Sequence, residues 1–417
     1  MESGTTTISC RFSAPRFLAT AALLPAIVSC LGWSASSAGD LATGGAEPFR
    51  PVALARLGSV QQAPAPSQFR PLVERWSVPI SAPSIGRPLV AGDIVVVALQ
   101  SAGIVAYRGL NGTEVWKSPV TTDRPIAIDD ERVYAVAGEK VHALSLAKGE
   151  ELWQQQTGAL SAPLLVQSGW VVAISTGSIA AYRSTDGEPL WRQSIGTVEH
   201  QPAIDGDVLF VPVLDRQVLA LNLQTGETLW SRPLAGEPGE LLVLGGVVYL
   251  GSRDKNFYTL DAATGEIIWA RRVGAGPRGR PAVDDDRIYT VALDNFLRAY
   301  ARGDGAVKWN KALKYRPQAG PVLLGDAVVV PGPVSAIPVF RRANGDPFSE
   351  IKFSATLVGM SNVLFGPWNY PMFAVVTGDL QHPWMLSFLE PSTDPPPLSI
   401  VELTEAPGTT IPIAMPQ

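Results

Sequence analysis

A tryptophan returns along this chain at nearly constant spacing: Trp76, Trp116, Trp153, Trp191, Trp230, Trp269 and Trp309, each 37 to 40 residues after the last. From Trp116 onward each closes one phrase: AYRGLNGTEVW, ALSLAKGEELW, AYRSTDGEPLW, ALNLQTGETLW, TLDAATGEIIW and AYARGDGAVKW. A weakened seventh copy, VFRRANGDPF, puts Phe348 at the next slot. A fixed period of this length marks a chain built from one supersecondary unit stacked on copies of itself.

The phrase has a physical logic. A short alternating strand runs into a turn closed by Gly112, Gly149, Gly187, Gly226, Gly265, Gly305 or Gly345, and a second strand carries the large aromatic. Glycine supplies the positive φ that such a hairpin needs. Upstream in each unit lies an apolar strand pair around a Gly/Asp turn, as in PLVAGDIVVVAL and PAIDGDVLFVPV, so each unit holds four strands. A four-stranded antiparallel unit cannot cover both of its faces alone. Radial stacking does so and leaves only short edges, which predicts an all-β chain folded as a β-propeller.

Counting between aromatic slots, residues 77–116, 117–153, 154–191, 192–230, 231–269, 270–309 and 310–348 give seven blades. The segment from Ser349 supplies an eighth, with strands over Met372 to Val376 and Trp384 to Leu389. Its outer strand is either Leu72 to Val78 or Leu398 to Leu403, and the first choice would close the ring with the N-terminal strand. Eight four-stranded antiparallel blades are expected, with seven as the alternative. Trp116, Trp153, Trp191, Trp230, Trp269 and Trp309 are expected to fill the wedges between blades.

Ahead of the repeats, Arg11 and Arg16 precede the apolar run Phe17 to Ser29, which is too short to span a bilayer and ends Ile27-Val28-Ser29-Cys30. This reads as a secretory signal with a lipobox, Cys30 being the lipidation site and the first mature residue. The alternative is ordinary cleavage near Ser36-Ser37-Ala38. The expected organisation is a lipoprotein signal peptide over 1–30, a flexible Ser/Ala/Gly/Pro-rich tether over 31–70, the propeller over 71–405 and a tail over 406–417.

A formal net charge of −5 and the lack of any basic run argue against a nucleic-acid partner. The only cysteines are Cys10 and Cys30, and the only histidines, His142, His200 and His382, are isolated in sequence. A triad or zinc site would have to be assembled from distant single residues. The runs Asp129-Asp130-Glu131 and Asp284-Asp285-Asp286 are conceivable calcium ligands, but both fall at the turn between the first two strands of a blade, where solvated turn residues are the simpler account. No acid–base pair, phosphate loop or nucleophile motif is present, so no catalytic residue and no cofactor is assigned.

A binding role needs a surface. In a propeller the turns between second and third strands share one face with the links between blades. The first set contains Asp215, Arg216, Arg253, Asp254, Lys255 and Asp294; the second contains Arg124, Glu237, Glu240 and Arg280. These ten residues form a candidate docking rim for a protein partner.

The pattern Ala-x5-Gly-x3-Trp, as in Ala220 to Trp230, resembles the tryptophan-docking repeat of pyrroloquinoline-quinone (PQQ) propellers. With a lipobox in front and little outside the ring, the chain is similar to the BamB family, lipoprotein subunits of the outer-membrane β-barrel assembly machinery. That resemblance implies a non-catalytic scaffold, lipid-anchored in the outer membrane and facing the periplasm, acting as a monomeric subunit of a complex. The alternative is a secreted PQQ-dependent dehydrogenase or a degenerate relative. Two features depart from the BamB pattern: Ile195 to His200 replaces its Leu-x-Leu-Arg stretch, and Glu237 and Glu240 stand in a shorter loop where that family carries two aspartates.

Overall fold

The computed structural model describes residues 68–365 and 371–392. They belong to the second of two compact units, Leu54–Gln417; the first, Met1–Ala53, lies outside the described residues, as does the proposed lipidation site Cys30. No helix occurs among the described residues. Seven four-stranded antiparallel sheets follow one another in chain order, over 89–118, 127–156, 165–194, 203–233, 238–272, 277–312 and 322–352. An eighth blade is assembled from both ends of the chain: Leu357–Met360, Pro371–Thr377 and Met385–Pro391 take the first three places and Leu72–Pro79 the fourth. The ring therefore has eight blades.

The repeated phrase is the hairpin of the third and fourth strands. In blade 4, Ala220 of Gln217–Asn222 sits directly opposite Trp230 of Thr228–Pro233. Ala106, Ala143, Ala181 and Ala299 stand in the same way opposite Trp116, Trp153, Trp191 and Trp309. A small residue beneath the indole leaves room for it, and a register shift beside each pair makes a β-bulge that turns the fourth strand.

Each indole then docks on the following blade. The Nε1–H groups of Trp76, Trp116, Trp153, Trp191, Trp230, Trp269 and Trp309 donate to the carbonyls of Gly109, Leu146, Ser184, Leu223, Ala262, Arg302 and Arg342, at 2.7 to 3.1 Å. The amides of these same seven residues donate to the first turn of their own blade, as Leu146 does to Glu131 at 2.8 Å. One turn residue thus joins two strand pairs and two blades. The turn glycine is needed twice over: Gly149 has φ +72°, and a Cβ there would come inside 3.0 Å of the Trp116 ring. The apolar clusters likewise pair neighbouring blades, for example Ile174 and Ile179 with Leu209 and Val211.

Closure of the ring falls to the N-terminal strand. Leu72–Pro79 pairs antiparallel with Met385–Pro391 through seven register partners, and Trp76 stacks on Phe388 at 5.8 Å. The strand choice Leu398 to Leu403 lies outside the described residues. Two expectations need correction. Blade 8 begins at Leu357, because Ser349 still belongs to the fourth strand of blade 7, Pro347–Lys352. The aromatic slot in that strand is Ser349, opposite Val339, while Phe348 is the bulged residue. The reason lies in the closure: the third and fourth strands of blade 8 come from opposite chain ends, so no glycine turn joins them to receive an indole. Phe348 instead meets Phe69 edge-on at 5.6 Å.

Candidate functional site

Backbone hydrogen bonds fix which turns share a face. The residue after each fourth strand donates to the turn between second and third strands: Leu234 to Arg216, Val273 to Lys255 and Leu313 to Asn295, all at 2.7 to 2.8 Å. Links between blades reach the same turns, as Leu214 donates to Thr197 and Arg253 to Glu237. Asp215, Arg216, Arg253, Asp254, Lys255 and Asp294 therefore stand on one rim with the inter-blade residues Arg124 and Glu237.

Their roles on that rim differ. Asp254 is committed to its own turn: Oδ2 accepts from the Tyr258 hydroxyl at 2.5 Å and Oδ1 from the Asn256 amide at 2.9 Å. Burial would raise its pKa, but these hydrogen bonds prevail and hold it below the usual carboxylate range. Asp294 likewise binds Arg298 and the Phe296 amide. Arg253 forms an ion pair with Glu237 at 2.5 Å while remaining mostly exposed. Asp215, Arg216 and Lys255 are exposed. Arg124 is half-buried, its backbone held by Thr122 Oγ1 at 3.0 Å.

One rim position carries strain. In blade 3 the last residue of the turn between second and third strands, which accepts from the amide that follows the fourth strand, is a glycine with positive φ, Gly177. In blades 4, 5 and 6 it is Arg216 (φ +59°), Lys255 (+68°) and Asn295 (+63°). For a residue with a Cβ, and without the local hydrogen bonding that helps asparagine, this conformation costs about 1 to 2 kcal/mol. Two cations are thus held on the rim where glycine would be easier to fold.

Glu240 and Arg280 are placed elsewhere. They line a cavity of about 400 Å³ in the central channel, together with Arg87, which the sequence reading missed. Arg280 lies in the inner strand Pro277–Val283 of blade 6 and Glu240 in Pro238–Leu244 of blade 5. These are the longest inner strands of the seven consecutive blades, and each is interrupted by a bulge, between Pro238 and Leu241 and between Arg278 and Ala282. A signal for Arg87 was available: Gly86-Arg87-Pro88 and Gly279-Arg280-Pro281 are the same tripeptide at the same place in blades 1 and 6.

The two aspartate runs are turn structure. Asp129 Oδ1 accepts from the amides of Glu131 and Arg132, and Oδ2 from the Tyr134 hydroxyl. Asp284 does the same with Asp286, Arg287 and Tyr289 and is also bound by the Arg342 guanidinium of blade 7. The expectation of solvated residues holds for Asp130, Glu131, Asp285 and Asp286, which are exposed. It fails for Asp284, whose side chain is only 8% exposed and serves as an inter-blade tie. Of the histidines, His142 meets Glu151 at 2.7 Å and His382 meets Asp379 at 2.8 Å, at separate places in the ring.

The family model described as outer membrane protein assembly factor BamB matches residues 73–232 and 215–361. The chain belongs to this family. Among solved structures, BamB from Moraxella catarrhalis superposes with a TM-score of 0.64 at 18% identity, covering 76% of this chain and 99% of that one. The quinohemoprotein alcohol dehydrogenase of Comamonas testosteroni gives 0.63 at 14%, covering 77% and 76%. The computationally designed Ika8 protein gives 0.60 at 17%, covering 77% and 100%. At these identities the likeness is one of fold. No curated protein matches the chain.

Proposed function

We propose that this BamB-family chain is a non-catalytic scaffold, anchored by lipid at Cys30 and facing the periplasm, that binds protein partners in outer-membrane β-barrel protein assembly. The observation that carries a binding role is the rim, where Arg216 and Lys255 occupy left-handed turn positions and stand exposed beside Asp215 and Arg253. Backbone strain retained at an exposed charged turn has its natural explanation in recognition, because folding alone favours glycine there. Family membership supplies the process in which the partner acts. With Ile195 to His200 in place of the Leu-x-Leu-Arg stretch, docking is assigned in this proposal to the charged turns of blades 4 to 6.

The test compares two surfaces. Arg253→Glu with Lys255→Glu should weaken capture of the barrel-assembly partner by in-cell crosslinking and leave what remains less salt-sensitive. Glu227→Lys with Glu266→Lys changes charge by the same amount in the opposite sense, in exposed turns on the other face, and should leave capture unchanged. Loss of capture only in the second variant would overturn the proposal.

A further inference from the structure

The charged groups in the channel form a set of their own. In blade order 5, 6, 7, 8 and 1, the cavity is bordered by Glu240, Arg280, Gly320, Gly359 and Arg87. Glycine stands between the two arginines for a steric reason. A Cβ on Gly320 would collide with the Arg280 backbone, and one on Gly359 would press on Arg87 Cα at 3.1 Å. Inner strands therefore approach so closely on this side of the channel that both arginines are fixed at the backbone. The inner strand of blade 8 also carries a register shift at this point, between Leu357 and Gly359. Three bulged inner strands thus border one cavity, and bulges re-aim the side chains beside them.

The arginines are not neutralised. Among the described residues neither guanidinium has a hydrogen-bond or ion-pair partner. Both are open to solvent, as is Glu240. The surrounding blades make the solvation poor. Burial lowers the pKa of Arg280, the charge of Arg87 lowers it further, and Glu240 partly restores it; at Arg87, burial is again opposed by Glu240. Two cations that repel each other across a confined space, with one carboxylate to share, leave an excess positive charge that an anion would relieve. Most of the remaining wall is apolar, including Pro281, Pro321, Val322, Leu357 and Met360, with Ser84, Gln318 and Ser361 as its uncharged polar members. A volume near 400 Å³ is that of a small-molecule site.

We propose that the channel mouth between blades 5 and 1 is a binding site for a small organic anion, one that carries carboxylate on an apolar body. Arg87 and Arg280 hold the carboxylate, the proline and aliphatic side chains cover the body, and Glu240 sets a limit on the negative charge accepted. This site is independent of the rim and of the partner proposed for it.

Isothermal titration of the purified full-length chain in detergent with phthalate, benzamide and inorganic phosphate tests the proposal. Phthalate should bind in the submillimolar range, with benzamide and phosphate each at least about tenfold weaker, since one lacks the charge and the other the apolar body. Arg87→Gln and Arg280→Gln should each weaken phthalate by about tenfold or more without moving the melting temperature. Glu240→Gln should tighten it, and the rim variant Arg253→Glu with Lys255→Glu should leave it unchanged. Failure of phthalate to bind the wild-type chain would overturn the site. So would equal binding of benzamide, or affinity that survives both arginine substitutions.

Discussion

Gly149→Ala should destabilise the ring far more than Gly138→Ala, although both glycines lie in blade 2 and hold positive φ, +72° and +62°. The left-handed conformation costs alanine about 1 to 2 kcal/mol at either site. Reduced freedom of the unfolded chain returns about 0.4 to 1 kcal/mol of that. At Gly138 nothing lies within 4 Å of the new methyl group, so the net loss is about 1.6 kcal/mol or less. At Gly149 the methyl lands inside 3.0 Å of Trp116, a ring 7% exposed and held by its bond to the Leu146 carbonyl at 2.7 Å. Overpacking adds about 1 to 3 kcal/mol, and displacing the indole from its acceptor about 1 kcal/mol more. Gly149→Ala should therefore lose about 2 to 5.5 kcal/mol in all. Urea midpoints with a shared m-value measure both variants. In a Trp116→Ala background the penalty of Gly149→Ala should fall to that of Gly138→Ala, because only the strain is left. Equal penalties in the wild-type background, or additivity in the double variant, would refute the docking account.

One further outcome follows from the structure and one from the proposed lipid anchor. Asp284 is held below the ordinary carboxylate range: burial pushes its pKa up, and the Arg342 and Tyr289 hydrogen bonds more than reverse this. Its stabilisation is therefore fully present above the unfolded aspartate value near 4 and is lost as pH falls through the depressed folded value. Asp284→Asn should cost about 3 kcal/mol at pH 7 by leaving Arg342 unpaired, and the gap to wild type in urea midpoint should close progressively below about pH 4; a gap constant down to pH 2 would contradict the assignment. Cys30→Ala should move the mature protein from the membrane to the soluble fraction in cell fractionation, since the acyl chains of a lipoprotein anchor supply the membrane affinity, and unchanged partition would remove the anchor from the proposal.

The parts of the fold that repeat were legible because the same steric problem is solved at each repeat. Ala220 lies opposite Trp230, and Gly226 receives Trp191 of the preceding blade, a contact repeated at Gly112, Gly149, Gly187, Gly265, Gly305 and Gly345, so the spacing exposes the hairpin, the blade and the ring. The eighth slot was misplaced by one residue because Phe348 is the aromatic nearest the expected position. A sequence pattern does not reveal that the partner turn is missing. That absence follows from closure by Leu72–Pro79, which joins residues some three hundred positions apart. Of the ten candidate rim residues, Asp254 and Asp294 proved to be bound within their own turns. Turn aspartates that cap backbone amides have the same sequence signature as exposed ones.

Function in such a ring should be sought where a copy departs from the others. The turn position that is Gly177 in blade 3 becomes Arg216 and Lys255 in blades 4 and 5, and it does so against a conformational cost. The channel follows the same logic in a different register. Two residues before the inner-strand partner of Tyr134 in blade 2 and of Val172 in blade 3 stand Pro125 and Pro163, which carry no charge, whereas two residues before the partners of Val96, Tyr249 and Tyr289 blades 1, 5 and 6 place Arg87, Glu240 and Arg280. An inner strand needs no charge to pack. Mutual repulsion of two arginines in the channel works against the fold, so their presence together beside glycines that fix their backbones is explained by what the channel holds.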